Sequence, residues 1–304
     1  MAEVTAERAP HLDPGWRPKL VALDIDGTLL KWVDGAGATH EEVPPAVHAA
    51  VRRVLDAGAH VVLASGRAPH GMTTVADLLE LHDPERSGDR LWVVASNGSV
   101  ILRYPPMEIE HEETFDAAPA VHAILQRHPD ALVAIEERGV GYRVSAPFPP
   151  GELGGELIVT ALEELVAAPV SRVIIRDPQA TADDFVQMAA ELGLHGTDYV
   201  VGWTAWLDLS PVGVSKASGL QYVADRLGVD VADVLAIGDG RNDVEMLRWA
   251  GRGVAMGQAV QEVIDAADDV TGTVDEDGAA RELDRWFGPA PSVGSSMPGL
   301  GGLT

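Results

Sequence analysis

The chain contains no cysteine, few aromatic residues and few basic ones. Without cysteine, neither a disulfide nor a thiolate metal site can form. Aromatics make up 5% of the 304 residues, so a core drawn from the 46% apolar positions must be packed with Val, Leu and Ala. Such packing suits an α/β protein, whose buried parallel strands read as aliphatic runs. Lys and Arg number 22 against 47 Asp and Glu, a formal charge of −25. That balance excludes the basic footprint of a nucleic-acid binder and argues against docking on anionic membranes. No apolar run reaches transmembrane length, and Met1 to Pro18 has no apolar signal core. The expectation is a soluble cytoplasmic protein, with its oligomeric state open.

Several familiar signals are also missing. There is no G-x-x-x-x-G-K-[ST], hence no P-loop. His111-Glu112-Glu113 lacks the second His of a zinc-protease helix, and the other histidines fall at no metal-ligand spacing. Thr273–Asp284 places Asp275, Asp277 and Gly278 in step with an EF-hand loop, but begins with Thr and ends with Asp, so a solvated loop is expected.

Short aliphatic runs alternate with helical patterns. Lys19–Leu23, Val61–Ala64, Trp92–Ala95 and Val234–Ile237 read as strands, each ending in a polar cluster. Val47, Ala50, Val51, Val54 and Leu55 fall at helical spacing after Pro44 and Pro45, and Gly58 closes that helix. Lys216–Leu227 and Val244–Ala250 are helices stopped by Gly228 and Gly251. This alternation predicts a parallel sheet with right-handed crossovers and a ligand site beyond the carboxyl ends of its strands.

The middle has a different texture. Strands are expected near Ser99–Tyr104, Ala131–Glu136, Val140–Ser145, Val173–Arg176 and Tyr199–Trp206. Helices are expected near Pro119–Arg127, Thr160–Ala167 and Thr181–Leu192, with Thr160 and Thr181 as N-caps. The predicted organisation is a flexible leader (1–16), a core (17–98 and 206–288), an inserted α+β domain (99–205) and a disordered Pro/Gly/Ser-rich tail (289–304).

An acidic chain that handles phosphate must neutralise repulsion locally, with a metal, a few Lys or Arg, and backbone N–H groups. Asp24-Ile25-Asp26-Gly27-Thr28 follows the first strand. One carboxylate can attack phosphorus, and a second can protonate the departing alcohol and later deprotonate water. Alone, the segment could also be a solvated Asp-Gly turn. Ser65-Gly66 offers a hydroxyl and free N–H groups to phosphate oxygens; an ordinary turn and a surface Arg67 are the bland alternatives. Lys216 opens a helix, where a cation opposes the dipole unless an anion binds there. In Gly238-Asp239-Gly240-Arg241-Asn242-Asp243, Asp239 could ligate Mg²⁺, Asn242 could donate to phosphate and Asp243 could hold the Lys216 ammonium.

Together, LVALDIDGTLL, VVLASGR, ASNGS, GVSK, VLAIGDGRNDVEML and AGRGVAMGQA resemble the haloacid-dehalogenase (HAD) superfamily, and within it the Cof-type subfamily. The resemblance covers about 19–98 and 207–270. It implies a Rossmann-like core with an inserted α+β cap and a Mg²⁺-dependent phosphatase acting through an aspartyl-phosphate on sugar phosphates or similar small metabolites. It implies Asp24 as nucleophile and metal ligand, and Asp26 as general acid/base with its backbone carbonyl on the metal. Ser65, Gly66, Lys216 and Asn242 would bind phosphate. Asp239 would complete the metal site, with Asp243, Thr28, Arg67 and Asn97 in support. Two departures stand out: Lys31–Val43 is long and Gly-rich, and the usual Gly-Asn-Ala is Gly257-Gln258-Ala259. Neither is expected to touch the catalytic set. A phosphomutase and a non-catalytic binding protein on the same scaffold are the alternatives.

Overall fold

Aliphatic residues that alternate between two faces define the centre of the molecule. In the computed structural model, strand β1 (Leu20–Leu23) sends Val21 and Leu23 into one apolar cluster and Leu20 and Ala22 into another, all four fully buried. Each of its Leu and Val side chains contributes roughly 1.5–3 kcal/mol by leaving water, which holds this short strand at the sheet's centre. The structure describes residues 15–31, 33, 40–81, 90–137, 139–192, 197–201 and 206–288. The expected leader through residue 14, the expected tail and most of the stretch between Lys31 and Val43 lie outside the described residues. Trp16, counted with the leader, is anchored: its ring stands edge-on to Trp286 at 4.7 Å and its indole N–H donates to Ala232 O.

The further strands are β2 (His60–Ala64), β3 (Leu91–Ala95), β4 (Val100–Tyr104), β5 (Glu108–Glu112), β6 (Leu132–Glu137), β7 (Gly141–Val144) and β8 (Glu156–Val159). Then come β9 (Val173–Arg176), β10 (Thr197–Val201), β11 (Trp206–Pro211), β12 (Val234–Gly238), β13 (Arg252–Ala255) and β14 (Asp269–Val270). The helices are α1 (Pro45–Asp56), α2 (Pro69–Leu78), α3 (Ala118–Leu125), α4 (Leu162–Leu165), α5 (Ala182–Leu192), α6 (Lys216–Leu227), α7 (Val244–Trp249), α8 (Gln261–Ile264) and α9 (Gly278–Phe287).

The first sheet has the order β14-β13-β12-β1-β2-β3-β4-β5. It is parallel from β14 to β3, and β4 and β5 extend it antiparallel. Helices α1, α2 and α9 cover one face, and α6, α7 and α8 the other. This is the expected Rossmann-like α/β core. Thr273–Asp284, expected as a solvated loop, is instead a short 3-10 turn running into α9, which buries Ala279, Ala280, Leu283 and Phe287. Calcium-loop spacing was uninformative there because the apolar residues at helical period decide the conformation.

The second sheet has the order β10-β11-β9-β6-β7-β8. Its strands pair antiparallel except β7 with β8. Sheet membership corrects both predicted domain boundaries. β4 and β5, placed in the insertion, belong to the core sheet, whereas β11, placed in the core, belongs to the second sheet. The expected strand Tyr199–Trp206 is two antiparallel strands, β10 and β11. Thr181 caps α5 through a reciprocal pair of bonds with Asp184, but Thr160 turns its hydroxyl to Ile158 O and leaves α4 uncapped.

Strand alternation orients this second sheet. Val133, Ile135, Val173, Ile175, Leu207 and Leu209 pack with Val121, Ile124, Phe185 and Met188 on the helical side. Ala134, Tyr142, Val144 and Ile174 pack on the opposite face with Ala68, which follows β2 of the core. That face looks onto the carboxyl edge of the first sheet.

Candidate active site

β1, β2, β3 and β12 are parallel neighbours, so the residues following them converge on one edge: Asp24, Ser65, Ser96 and Asp239. Asp24 continues the ladder by donating its N–H to Ile237 O at 3.0 Å. Past it the chain turns, with Leu29 and Leu30 N–H groups both donating to Ile25 O and Gly27 at φ +84°.

Lys216 is the first residue of α6, whose N-cap Ser215 forms a reciprocal capping box with Ser218. The start of this helix presses on the turn after β3. A Cβ on Gly98, which has φ +101°, would lie 2.0 Å from Ser215 O. Ser96 and Asn97 in the same turn are also left-handed, at φ 51° and 54°, a strained arrangement of the kind that gathers at ligand sites.

The Lys216 ammonium is fully buried and donates to Asp24 Oδ1 at 2.7 Å and Asp243 Oδ1 at 2.6 Å. The second oxygen of Asp243 accepts the N–H groups of Asp239 (3.0 Å) and Gly240 (2.9 Å). That approach requires Gly238, where a Cβ would sit 2.4 Å from the Asp243 carboxyl carbon. Thr28 donates its hydroxyl to Asp24 Oδ2 at 3.1 Å. Arg67 grips Asp26 with its fork, Nε to Oδ2 at 2.9 Å and Nη2 to Oδ1 at 2.6 Å. Asn242 Nδ2 donates to Asn97 Oδ1 at 2.9 Å, and Ser65 Oγ accepts the Arg67 N–H at 3.1 Å. All eleven residues singled out from the sequence therefore lie on this edge.

The electrostatics follow from an imbalance. Carboxylate oxygens of Asp24, Asp239 and Asp243 all lie within 4.8 Å of one another, and all three residues are buried. One ammonium stands against them, which leaves a net charge of −2. Burial, then Asp243, pushes the Asp24 carboxyl well above the usual carboxylate range, with Lys216 pulling the other way and Asp239 and Asp26 adding to the rise. Burial by itself would lower the Lys216 ammonium, but Asp24 and Asp243 outweigh it and hold its proton firmly. A buried cluster of three carboxylates around one ammonium fits a hard divalent cation, which inverts such local pKa logic. Asp243 accepts from Lys216 and from two N–H groups, so Asp24 and Asp239 are the carboxylates that could hold a metal.

Gln258 is the residue that sequence reasoning set aside. Its amide donates to Gly27 O at 2.6 Å and Asp239 Oδ2 at 3.2 Å, while its oxygen accepts Val274 N–H at 2.9 Å. The Gly-Gln-Ala variation thus touches the acidic centre, contrary to expectation. The longer side chain spans the loop after β1 and the loop after β12 at once, and the only signal in the sequence was the departure itself.

The second sheet contributes Glu136, Arg172 and Asp208, which the sequence did not reveal. Ser96 donates its hydroxyl to Glu136 Oε2 at 2.6 Å, and Arg172 donates to Gly66 O. Their convergence depends on the register of strands 36 residues apart, which local pattern does not encode.

A parallel sheet covered on both faces, with an inserted domain over a buried acidic centre at its carboxyl edge, is the frame of a hydrolase that handles charged substrates with a metal. A family model for haloacid dehalogenase-like hydrolases matches residues 21–283. The chain belongs to that family, as a Cof-type member, and is a phosphatase. It is 30% identical to phosphoglycolate phosphatase from Natronomonas pharaonis, with 87% of this chain and 96% of the relative aligned. It is 28% identical to phosphatase YwpJ from Bacillus subtilis (strain 168), over 87% and 98%. The solved structure of the HAD phosphatase BT1666 from Bacteroides thetaiotaomicron superposes with a TM-score of 0.70 at 27% identity, covering 94% of this chain and 99% of that one. These phosphatase relatives leave the mutase and non-catalytic alternatives without support. Among the described residues, no helix is long and apolar enough to cross a membrane.

Proposed function

We propose that this phosphatase hydrolyses small phosphomonoesters, sugar phosphates among them, through an aspartyl-phosphate on Asp24, with Mg²⁺ as its resident cofactor. The observation that carries the reading is the buried, doubly bonded Lys216 between Asp24 and Asp243, with the Asp239 carboxylate gathered beside them. Asp24, Asp239 and the main-chain carbonyl of Asp26 would hold the metal, which supplies positive charge to the phosphoryl oxygens and offsets their repulsion from the acids.

An Asp24 oxygen attacks phosphorus as the bond to the departing alcohol breaks, and Asp26 gives that alcohol its proton. Asp26 then takes a proton from water, whose oxygen attacks the same phosphorus and returns Asp24 as a carboxylate with release of phosphate. Arg67 aims the Asp26 carboxyl through its two-armed grip. Lys216 has three N–H donors and spends two on Asp24 and Asp243, so one remains for a phosphate oxygen. Ser65, Gly66 and Asn242 complete the phosphate cradle. Positioning and charge neutralisation are most of what phosphoryl transfer asks of a protein.

The test is phosphate release from a panel of phosphomonoesters with and without Mg²⁺, beside Asp24→Asn. Metal-dependent release that disappears in the variant supports the reading. Wild-type rates in folded Asp24→Asn protein overturn it.

A further inference from the structure

Above the phosphate cradle lies a buried polar cluster that hydrolysis does not use. Alternation along β6 and β11 turns Glu136 and Asp208 away from the helical side of the second sheet. Arg172, just before β9, joins them. The side chains of Arg172 and Glu136 are each 6% exposed, and that of Asp208 is 15% exposed. The cluster is fixed to the core at two points: Arg172 Nη1 donates to Gly66 O and Ser96 Oγ donates to Glu136 Oε2. Gly66 belongs to the cradle beside Ser65, and Ser96 precedes Asn97, which accepts from the cradle's Asn242, so these groups form the ceiling that a leaving group meets.

Most donors of this ceiling are already spent. Arg172 gives Nε and Nη2 to Asp208 Oδ1 at 3.0 and 2.7 Å, and Nη1 to both Glu136 Oε1 (3.1 Å) and Gly66 O. The buried Tyr142 packs on the same face. A guanidinium has five N–H groups, and Arg172 gives four of them to Asp208, Glu136 and Gly66. Arg176, on the same face, is gripped by Glu152 at 3.1 Å. The acceptors are not spent. Among the described residues Asp208 Oδ2 receives none of these bonds, and each Glu136 oxygen receives one of the two it can accept. Glu136, Arg172 and Asp208 together carry a net charge of −1.

A ceiling with spare acceptors, mostly occupied donors and net negative charge recognises hydroxyl groups and repels anions. We propose that Glu136 and Asp208 select phosphomonoesters whose leaving group is a neutral, hydroxyl-rich alcohol, and discriminate against substrates bearing a second phosphate or a carboxylate. This rests on the phosphatase reading of the same site. A buried like-charge contact is the device by which a site rejects a wrong ligand of similar shape.

The deciding pair is glucose 6-phosphate and 6-phosphogluconate, which share a six-carbon chain and differ in a carboxylate. In the full chain with Mg²⁺, kcat/KM is expected to favour glucose 6-phosphate by about tenfold or more. Asp208→Asn and Glu136→Gln keep the shape and remove one charge each, and each is expected to narrow that ratio several-fold. Folding is checked by thermal melting, and the wild-type ratio alone tests the preference should either variant fail to fold. Equal or inverted preference in the wild type overturns the proposal, as does a ratio unmoved in both folded variants. p-Nitrophenyl phosphate separates the two levels. Turnover of that ester with neither sugar compound hydrolysed leaves the phosphatase reading standing and sinks the ceiling's selectivity. No turnover of any ester sinks both.

Discussion

Lys216 Nζ lies 2.7 Å from Asp24 Oδ1 although 192 residues separate the two in sequence. The contact joins the end of β1 to the first turn of α6 and encloses the ammonium, whose side chain is 0% exposed. Removing one member of a buried ion network leaves uncompensated charge. Lys216→Met is therefore expected to destabilise the protein by about 3–5 kcal/mol, read from urea unfolding. Added Mg²⁺ should raise the melting temperature of this variant, since a cation replaces part of the lost charge. A variant as stable as wild type in the absence of metal would contradict the assigned network.

On the proposed mechanism Asp24→Asn removes the nucleophile and is expected to lower turnover by at least about a thousandfold. Because the substitution relieves a crowded group of acids, the variant should melt within a few degrees of wild type without metal. A loss of activity accompanied by unfolding would show a structural role instead.

Gln258 ties Gly27 O to Asp239 Oδ2. Groups that orient metal ligands typically cost about 10–100-fold in metal affinity when lost. Gln258→Leu is expected to weaken Mg²⁺ binding by about tenfold in calorimetric titration of the substrate-free protein. Gln258→Asn, one methylene shorter, should recover only part of it. Unchanged binding in both variants would remove Gln258 from the site.

Gly98 and Gly58 separate backbone strain from steric contact. Both have positive φ, +101° and +80°, but a Cβ on Gly98 would strike Ser215 O whereas one on Gly58 meets nothing within 4 Å. Gly58→Ala is expected to cost about 1–2 kcal/mol, the left-handed penalty alone. Gly98→Ala should cost clearly more and also lower activity, because Ser215 precedes Lys216. Equal melting temperatures for the two variants would show that α6 yields to the extra methyl.

Asp269 accepts from Arg252 Nη2 at 2.7 Å and Arg285 Nη1 at 3.0 Å. Although its partial burial opposes the shift, these bonds take its carboxyl down to about 2. A lowered carboxyl contributes stability that is present above its unfolded value near 3.8 and lost as pH falls towards 2. The melting-temperature gap between wild type and Asp269→Asn is therefore expected to be full above about pH 4 and to close towards pH 2. A gap that widened with acid would assign the wrong sign to this pair.

The sequence by itself determined the core strands and the composition of their carboxyl edge. Val173–Arg176 was placed to the residue, and β1, β2, β3 and β12 to within one. Aliphatic runs, glycine stops and the polar clusters after them are local signals, and local signals survive without a partner. The burial of Thr28, Lys216 and Asp243 followed once those strands were parallel neighbours. Only the tertiary structure decided which sheet β4, β5 and β11 join, since sheet membership is a property of pairing across the chain. β5, Glu-Ile-Glu-His-Glu, has one apolar residue and becomes a strand by extending an edge. Tertiary structure also decided that α9 is a helix packed on α1, that Gln258 reaches Asp239, and that Glu136, Arg172 and Asp208 meet over Gly66. Those contacts depend on strand register and on the docking of one sheet over another. Both are fixed by how the apolar faces fill space, which no single stretch of sequence contains.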